Sequence, residues 1–243
     1  MQTATISTLF DSIPIDFLVV SWPRMLRSKV ISRFSVGVIG THPTPLPWGR
    51  GRHPIHWLIA MGIPEATLSF FLVDDGVDTG ELIHQEVVDL EPTDSIEEVS
   101  EKLSQIAQVG AFRVGLNITD KGRLVSRPQS ANLGSLWRKR TPEDVKIDCR
   151  MSGGAILRLV RSFSPPFPMA VLETPAGPFK IHKVELLDWD REVWIMHSLG
   201  NVLKVSNDSL IVRVDDEVIK LYTTEKIVGL YAGLDLHPPS SYC

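Results

Sequence analysis

The chain has 243 residues, 43% hydrophobic and 22% charged, with a formal net charge of −4 and a pI of about 6.0. That is enough for one large domain, or a domain with a small appendage, in an ordinary globular protein. The balance excludes the global basic field of a non-specific nucleic-acid binder, and no apolar run approaches the roughly 18 residues that cross a bilayer.

Asp16 to Trp22 is a short apolar run stopped by Pro23, the pattern of a buried parallel strand. Lys29 to Ser35 leads into a second such run, Val36 to Gly40, whose glycines let another chain or a ligand approach closely. Pro54 opens a helix that carries Ile55, Trp57, Leu58, Ile59 and Met61 and stops at Gly62. Thr67 to Val73 predicts a third strand and Leu82 to Val88 a fourth, at a sheet edge. Asp94-Ser95-Ile96-Glu97-Glu98 is a helix start with an acidic first turn, continued at helical spacing by Val99, Leu103, Ile106 and Ala107 toward Ile118. The alternation predicts an α/β domain with a mainly parallel sheet. Residues 128–150 are polar and read as an ordered linker, its Arg138-Lys139-Arg140 cluster solvated. After a short helix over Ser152 to Ser162 come Met169–Thr174, Phe179–Leu187, Gly200–Val205, Ser209–Val214 and Val218–Tyr222, the spacing of a small β-barrel. Cys149 is expected to be half-buried, and with Cys243 it makes no disulfide framework. The start has no basic n-region, and Asp11 and Asp16 interrupt its apolar stretch, so the cytoplasm is the expected location.

The most distinctive stretch is His42-Pro43-Thr44-Pro45-Leu46-Pro47, followed by Arg50-Gly51-x-x-Pro54-Ile55 and later by Asp75-Gly76-Val77-Asp78-Thr79-Gly80. A histidine on a proline-rich turn and an aspartate in a glycine-flanked loop are separated here by a helix-length segment and an apolar run. Both side chains can therefore be delivered to one end of a sheet. The order resembles the folate-dependent formyltransferases of the methionyl-tRNA and nucleotide-sugar types, over residues 14–225. Arg140-x-Pro142-Glu143-Asp144-x-x-Ile147-Asp148 resembles that family's linker, and Arg161 with Pro166-Phe167-Pro168 the element after it.

The resemblance implies a Rossmann-like catalytic domain with a parallel sheet over 1–127, a linker over 128–150 and a C-terminal open, OB-like β-barrel over 151–243. It also implies that the first half of the Rossmann-like domain is missing, since only about fifteen residues precede the first strand. Either the sequence begins at an internal methionine or the protein is naturally shortened. The shortened chain is expected to self-associate as a homo-oligomer through an open sheet edge.

The implied reaction moves a formyl group from 10-formyltetrahydrofolate, the co-substrate, to a primary amine, with no metal. His42 and Asp78 are the implied catalytic pair, the carboxylate orienting the imidazole and favouring its charged form. Trp22, Met25, Leu26, Val73, Asp74 and Asp75 are the implied pterin-binding positions. Thr44 is expected in the wall of the site, and Arg50 is expected to meet an anionic part of the substrate, because guanidinium matches phosphate and carboxylate. One departure stands out. The family carries Asn two residues before the histidine as a donor to the formyl oxygen, where this chain has Gly40. Thr41 points to the opposite face, so a water or backbone N–H admitted by Gly40 is expected instead. The acceptor expected from the acidic balance is a nucleotide-linked amino sugar. Methionyl-tRNA formylation and a non-catalytic folate- or partner-binding remnant are the alternatives. His53-x-x-His56 reads as helix surface, since no cysteine or carboxylate completes a metal site. Gly49-Arg50-Gly51-Arg52 lacks both the Walker and the dinucleotide patterns.

Overall fold

The computed structural model describes residues 17–20, 26, 28–121, 123–130, 133–165 and 167–236. Among these, two compact units form. The first gathers residues up to Pro54, Pro64–Leu90 and Ser100–Lys139, and the second Ile55–Ile63, Glu91–Val99 and residues from Arg140 onward.

In chain order the first elements are β1 (Phe17–Val20), α1 (Ser28–Ile31), β2 (Gly37–His42), β3 (Arg50–Gly51), α2 (Pro54–Met61), β4 (Glu65–Leu72), β5 (Leu82–Asp89) and α3 (Ile96–Lys121). Then come β6 (Leu136–Trp137), a 3-10 turn at Pro142–Val145, α4 (Gly153–Ser162), β7 (Ala170–Leu172) and β8 (Phe179–Leu187). The chain continues with α5 (Arg191–Trp194), β9 (Val202–Val205), β10 (Ser209–Arg213) and β11 (Val218–Thr223).

The first unit is built on a four-stranded sheet in the order β1-β2-β4-β5. Val38, Ile39, Ala66 and Phe70 are its most deeply buried apolar side chains, which accounts for the apolar character of β2 and β4. The α/β class is as expected, but the strand directions are a correction. β1 and β2 are parallel, whereas β4 runs antiparallel to β2 and β5 antiparallel to β4. The short loop between Leu72 and Leu82 leaves no room for the crossover that a parallel pair needs. β5 lies at the edge, as expected. α3 starts with a reciprocal cap, in which Ser95 N–H donates to Glu98 Oε2 (2.7 Å) and Glu98 N–H to Ser95 Oγ (3.3 Å).

The second unit carries a five-stranded antiparallel sheet in the order β7-β8-β11-β10-β9, the open β-barrel-like element expected from its short alternating strands. Its core gathers Ile156, Leu159 and Val160 of α4 with Leu172, Ile181, Leu210, Val212, Ile219 and Leu221 of the sheet. Ser152 caps α4 by accepting from Ala155 N–H at 3.2 Å.

Three expectations about burial are overturned here. His56 is buried, its Nδ1 within hydrogen-bond reach of the Ser162 carbonyl and its ring stacked on Phe163. Arg140 is buried rather than solvated. It donates to Ser162 Oγ (3.1 Å) and the Asp144 carbonyl (2.8 Å), with its guanidinium 4.0 Å from the Phe163 ring centre. Cys149 is fully buried, and burial, with a smaller contribution from Asp148, pushes its thiol up to about 12. Among the described residues no helix is long and apolar enough to cross a membrane.

Candidate active site

The last residue of β2 is His42, so the strand itself carries the imidazole to the edge where the chain turns. The ring is buried, at 6% exposure. Its Nε2 lies 2.8 Å from the Gly49 carbonyl, and its Nδ1 lies 3.5 Å from Asp78 Oδ2. Both nitrogens thus face acceptors, and a ring carrying both protons can donate to both.

The proline turn after His42 is fixed from below. Ser69 Oγ, fully buried on β4, donates to the Thr44 carbonyl (2.6 Å) and accepts from Leu46 N–H (3.2 Å). Gln85 on β5 donates to Ser69 Oγ at 2.9 Å, and Arg127 donates to Gln85 Oε1 at 3.2 Å. Thr44 is buried and donates from Oγ1 to the Trp48 carbonyl at 2.7 Å, so its hydroxyl is spent on the turn.

Asp78 occupies the left-handed region, with φ of 53°, which costs a non-glycine residue about 1–2 kcal/mol and requires the surroundings to hold it. Its Oδ2 accepts from Gly51 N–H at 2.9 Å, which ties the aspartate loop to β3. Glycine is needed at 80, because a Cβ there would fall 1.6 Å from the Leu72 carbonyl oxygen. It is equally needed at 51, where φ is +110° and a Cβ would sit 2.3 Å from the Trp137 carbonyl oxygen.

Of the expected binding positions, Trp22 and Met25 lie outside the described residues, and Leu26 is half-buried. Val73 N–H donates to the Val38 carbonyl, and its side chain packs on Leu46, Phe71 and Leu82. Asp74 Oδ1 accepts from Gly76 N–H and Thr79 Oγ1, an internal brace of the loop. Asp75 accepts from Ser28 Oγ. Arg50 does not reach outward as an anion clamp: its Nε and Nη2 donate to Gln129 Oε1 at 3.1 and 2.7 Å. The space expected beside Gly40 is filled. A Cβ there would lie 3.0 Å from both Phe71 Cζ and Val73 Cγ2, so a side chain at this position would crowd both.

Sequence reasoning missed Ser69, Gln85, Gln129 and Ser135. Ser135 accepts from Gly49 N–H through Oγ (2.9 Å) and from Arg50 N–H through its carbonyl (3.0 Å). The one available signal was Ser69, a small polar residue inside the apolar run of β4.

The arrangement offers a buried imidazole, an oriented carboxylate and a backbone rich in fixed N–H and C=O groups, the parts needed for proton transfer beside a reacting carbonyl. Comparison with known proteins places the chain among relatives. A model of the formyl transferase family matches residues 5–114, and one of the formyl transferase C-terminal domain matches residues 139–229. A methionyl-tRNA formyltransferase of Neisseria meningitidis serogroup A is 28% identical over 214 residues, 88% of this chain and 67% of that protein. Two solved structures share the fold. HypX from Aquifex aeolicus has a TM-score of 0.66 at 16% identity, covering 90% of this chain and 38% of its own. The N-formyltransferase from Helicobacter canadensis, in complex with folinic acid and dTDP-3-aminofucose, has a TM-score of 0.66 at 15% identity, covering 90% of this chain and 77% of its own. With both family domains in order, and the histidine and aspartate motifs meeting in space, the chain belongs to the folate-dependent formyltransferase family of N-formyltransferases.

Proposed function

We propose that this chain transfers the formyl group of 10-formyltetrahydrofolate to the amino group of methionyl-tRNA, with His42 and Asp78 as its working pair. The amine nitrogen attacks the formyl carbon, and a C–N bond forms as the carbonyl oxygen gains charge. The C–N10 bond then breaks, the amine loses a proton and N10 gains one. His42 is the group that holds and passes that proton, and Asp78 keeps its ring aligned. The observation that carries the chemistry is the 3.5 Å approach of Asp78 Oδ2 to His42 Nδ1 at the end of a buried strand.

The choice of acceptor rests on the curated relatives, methionyl-tRNA formyltransferases at 28% identity over 88% of this chain. The sugar-acting neighbours, at 15–17% identity, argue for the fold alone. Lysines on the sheet of the second unit support the same reading. Lys204, Ile211 and Lys220 are successive cross-strand partners on β9, β10 and β11, so both lysines share a face, with Tyr222 two residues beyond Lys220. Basic side chains beside an aromatic ring suit an RNA backbone. The pI of about 6.0, with 29 acidic against 25 basic residues, favours the second reading, a nucleotide-linked amino sugar.

The test is to incubate the protein with 10-formyltetrahydrofolate and, separately, methionyl-tRNA or a panel of amino-sugar nucleotides. Efficient formylation of the tRNA alone is expected. In Lys204→Gln/Lys220→Gln the logarithmic salt slope of tRNA binding should fall by about one for each phosphate that a lysine no longer neutralises. Turnover of a sugar nucleotide without tRNA formylation would overturn the choice of acceptor.

A further inference from the structure

We propose that Gln129 is the positioning residue of this site: its side-chain amide fixes the backbone of the Asp78 loop and thereby sets the carboxylate against His42. The inference rests on His42 and Asp78 being the working pair. Nε2 of Gln129 donates to the Asp78 carbonyl (2.9 Å) and the Gly80 carbonyl (2.7 Å), bracketing Thr79. Its Oε1 accepts from Arg50 Nε and Nη2. Both amide protons and both lone pairs of the oxygen are used. A flipped amide would set oxygen against two carbonyls and nitrogen against a guanidinium, so the four bonds define a single orientation.

The strut has a job that a loop of other composition would not need. Asp78 sits at φ of 53°, a conformation that relaxes unless it is held, and its carboxylate bonds Gly51 N–H on the strand that carries Arg50. Arg50 is itself anchored, its backbone N–H donating to Ser135 at 3.0 Å. The chain Ser135–Arg50–Gln129–Asp78 therefore closes a ring of bonds around the aspartate. It also explains why the Arg50 guanidinium turns inward, where the motif alone pointed to a substrate anion.

Gln129→Met tests this. It keeps length and neutrality but removes both donors and the acceptor. The first readout is the NMR spectrum of the His42 ring at one fixed pH in the free protein, without substrate, for the unaltered chain, Gln129→Met, Asp78→Asn and the double variant. Asp78 is the charged group at the ring and the Gly49 carbonyl its other partner. Gln129→Met is expected to move the His42 ring resonances in the direction that Asp78→Asn moves them, and to add nothing in the double variant. The second readout is kinetic, with turnover falling about tenfold or more while KM for the formyl donor stays within about twofold. Unmoved His42 ring resonances in a folded Gln129→Met would overturn the proposal. Where that variant does not fold, Gln129→Asn, an amide one methylene too short to span, gives the same decision. Because the spectrum needs no turnover, inactivity of the unaltered chain would count against the proposed function and leave this test standing.

Discussion

His42 has an acceptor at each ring nitrogen, the Gly49 carbonyl at 2.8 Å and Asp78 Oδ2 at 3.5 Å, and it is buried where water does not compete freely. Such a pair acts as a unit. His42→Ala and Asp78→Asn are each expected to lower turnover by about a hundredfold or more, and the double variant to be little worse than either. Steady-state kinetics on the three proteins decide it. Losses that multiply would mean independent roles, and full activity in His42→Ala would remove the histidine from the reaction. The approach of these two side chains was legible, because the motif fixes both residue types and their spacing along the chain. Gln129 and Ser69 were not, since each works by bonding backbone carbonyls of a distant loop, and nothing in a sequence records which carbonyls a side chain meets. Gly40 was only half legible. The missing side chain is visible in the sequence, but the Phe71 ring that fills its place comes from across the β2–β4 pair.

Among the elements, the long apolar and amphipathic segments stood out in the sequence, and the very short ones did not. β5, α3 and β8 fall close to their predicted bounds because period and capping agree over many residues. The two-residue pair β3–β6 has no periodicity to read, and its register comes from Arg50 and Gly51 lying beside Leu136 and Trp137. The direction of β4 was misread because a buried antiparallel strand and a buried parallel strand carry the same apolar run. Arg138 and Lys139 are exposed as expected, but Arg140 was misread because charge was taken as a sign of exposure. Arg140 lies between the Trp57 and Phe163 rings, at 5.0 and 4.0 Å, and its hydrogen bonds join the 3-10 turn to the end of α4. Arg140→Met keeps much of the apolar stem but removes the bonds to the Asp144 carbonyl and Ser162 Oγ, and should cost about 2–3 kcal/mol. The urea midpoint of unfolding measures it. A loss below about 0.5 kcal/mol would return this arginine to the status of a surface charge.

For the molecule as a whole, the excess of 29 acidic over 25 basic residues says little about which carboxylates govern stability in acid. Two in the second unit pull in opposite directions. Hydrogen bonds from Ser198 and then Asn201 hold Asp235 below its ordinary range, so its contribution is complete above the unfolded value and is lost as pH falls through the folded one. Glu217 is shifted upward, first by burial and then by the neighbouring Asp216, against the bond it accepts from Gly154. Its ionised form is therefore penalised in the folded chain, and the penalty is present once pH exceeds the folded value and vanishes on protonation. Glu217→Gln keeps an oxygen for Gly154 and removes the charge. It should be more stable than the parent at pH 7, with the advantage fading as pH falls from the raised folded value and gone below the ordinary value of 4.5. Asp235→Asn should be less stable at pH 7, and its deficit should shrink at still lower pH. Urea midpoints of the parent and both variants from pH 7 down to about 3 follow the two curves. A Glu217→Gln variant that loses stability at pH 7 would mean that its bond to Gly154 outweighs its burial, reversing the sign argued here.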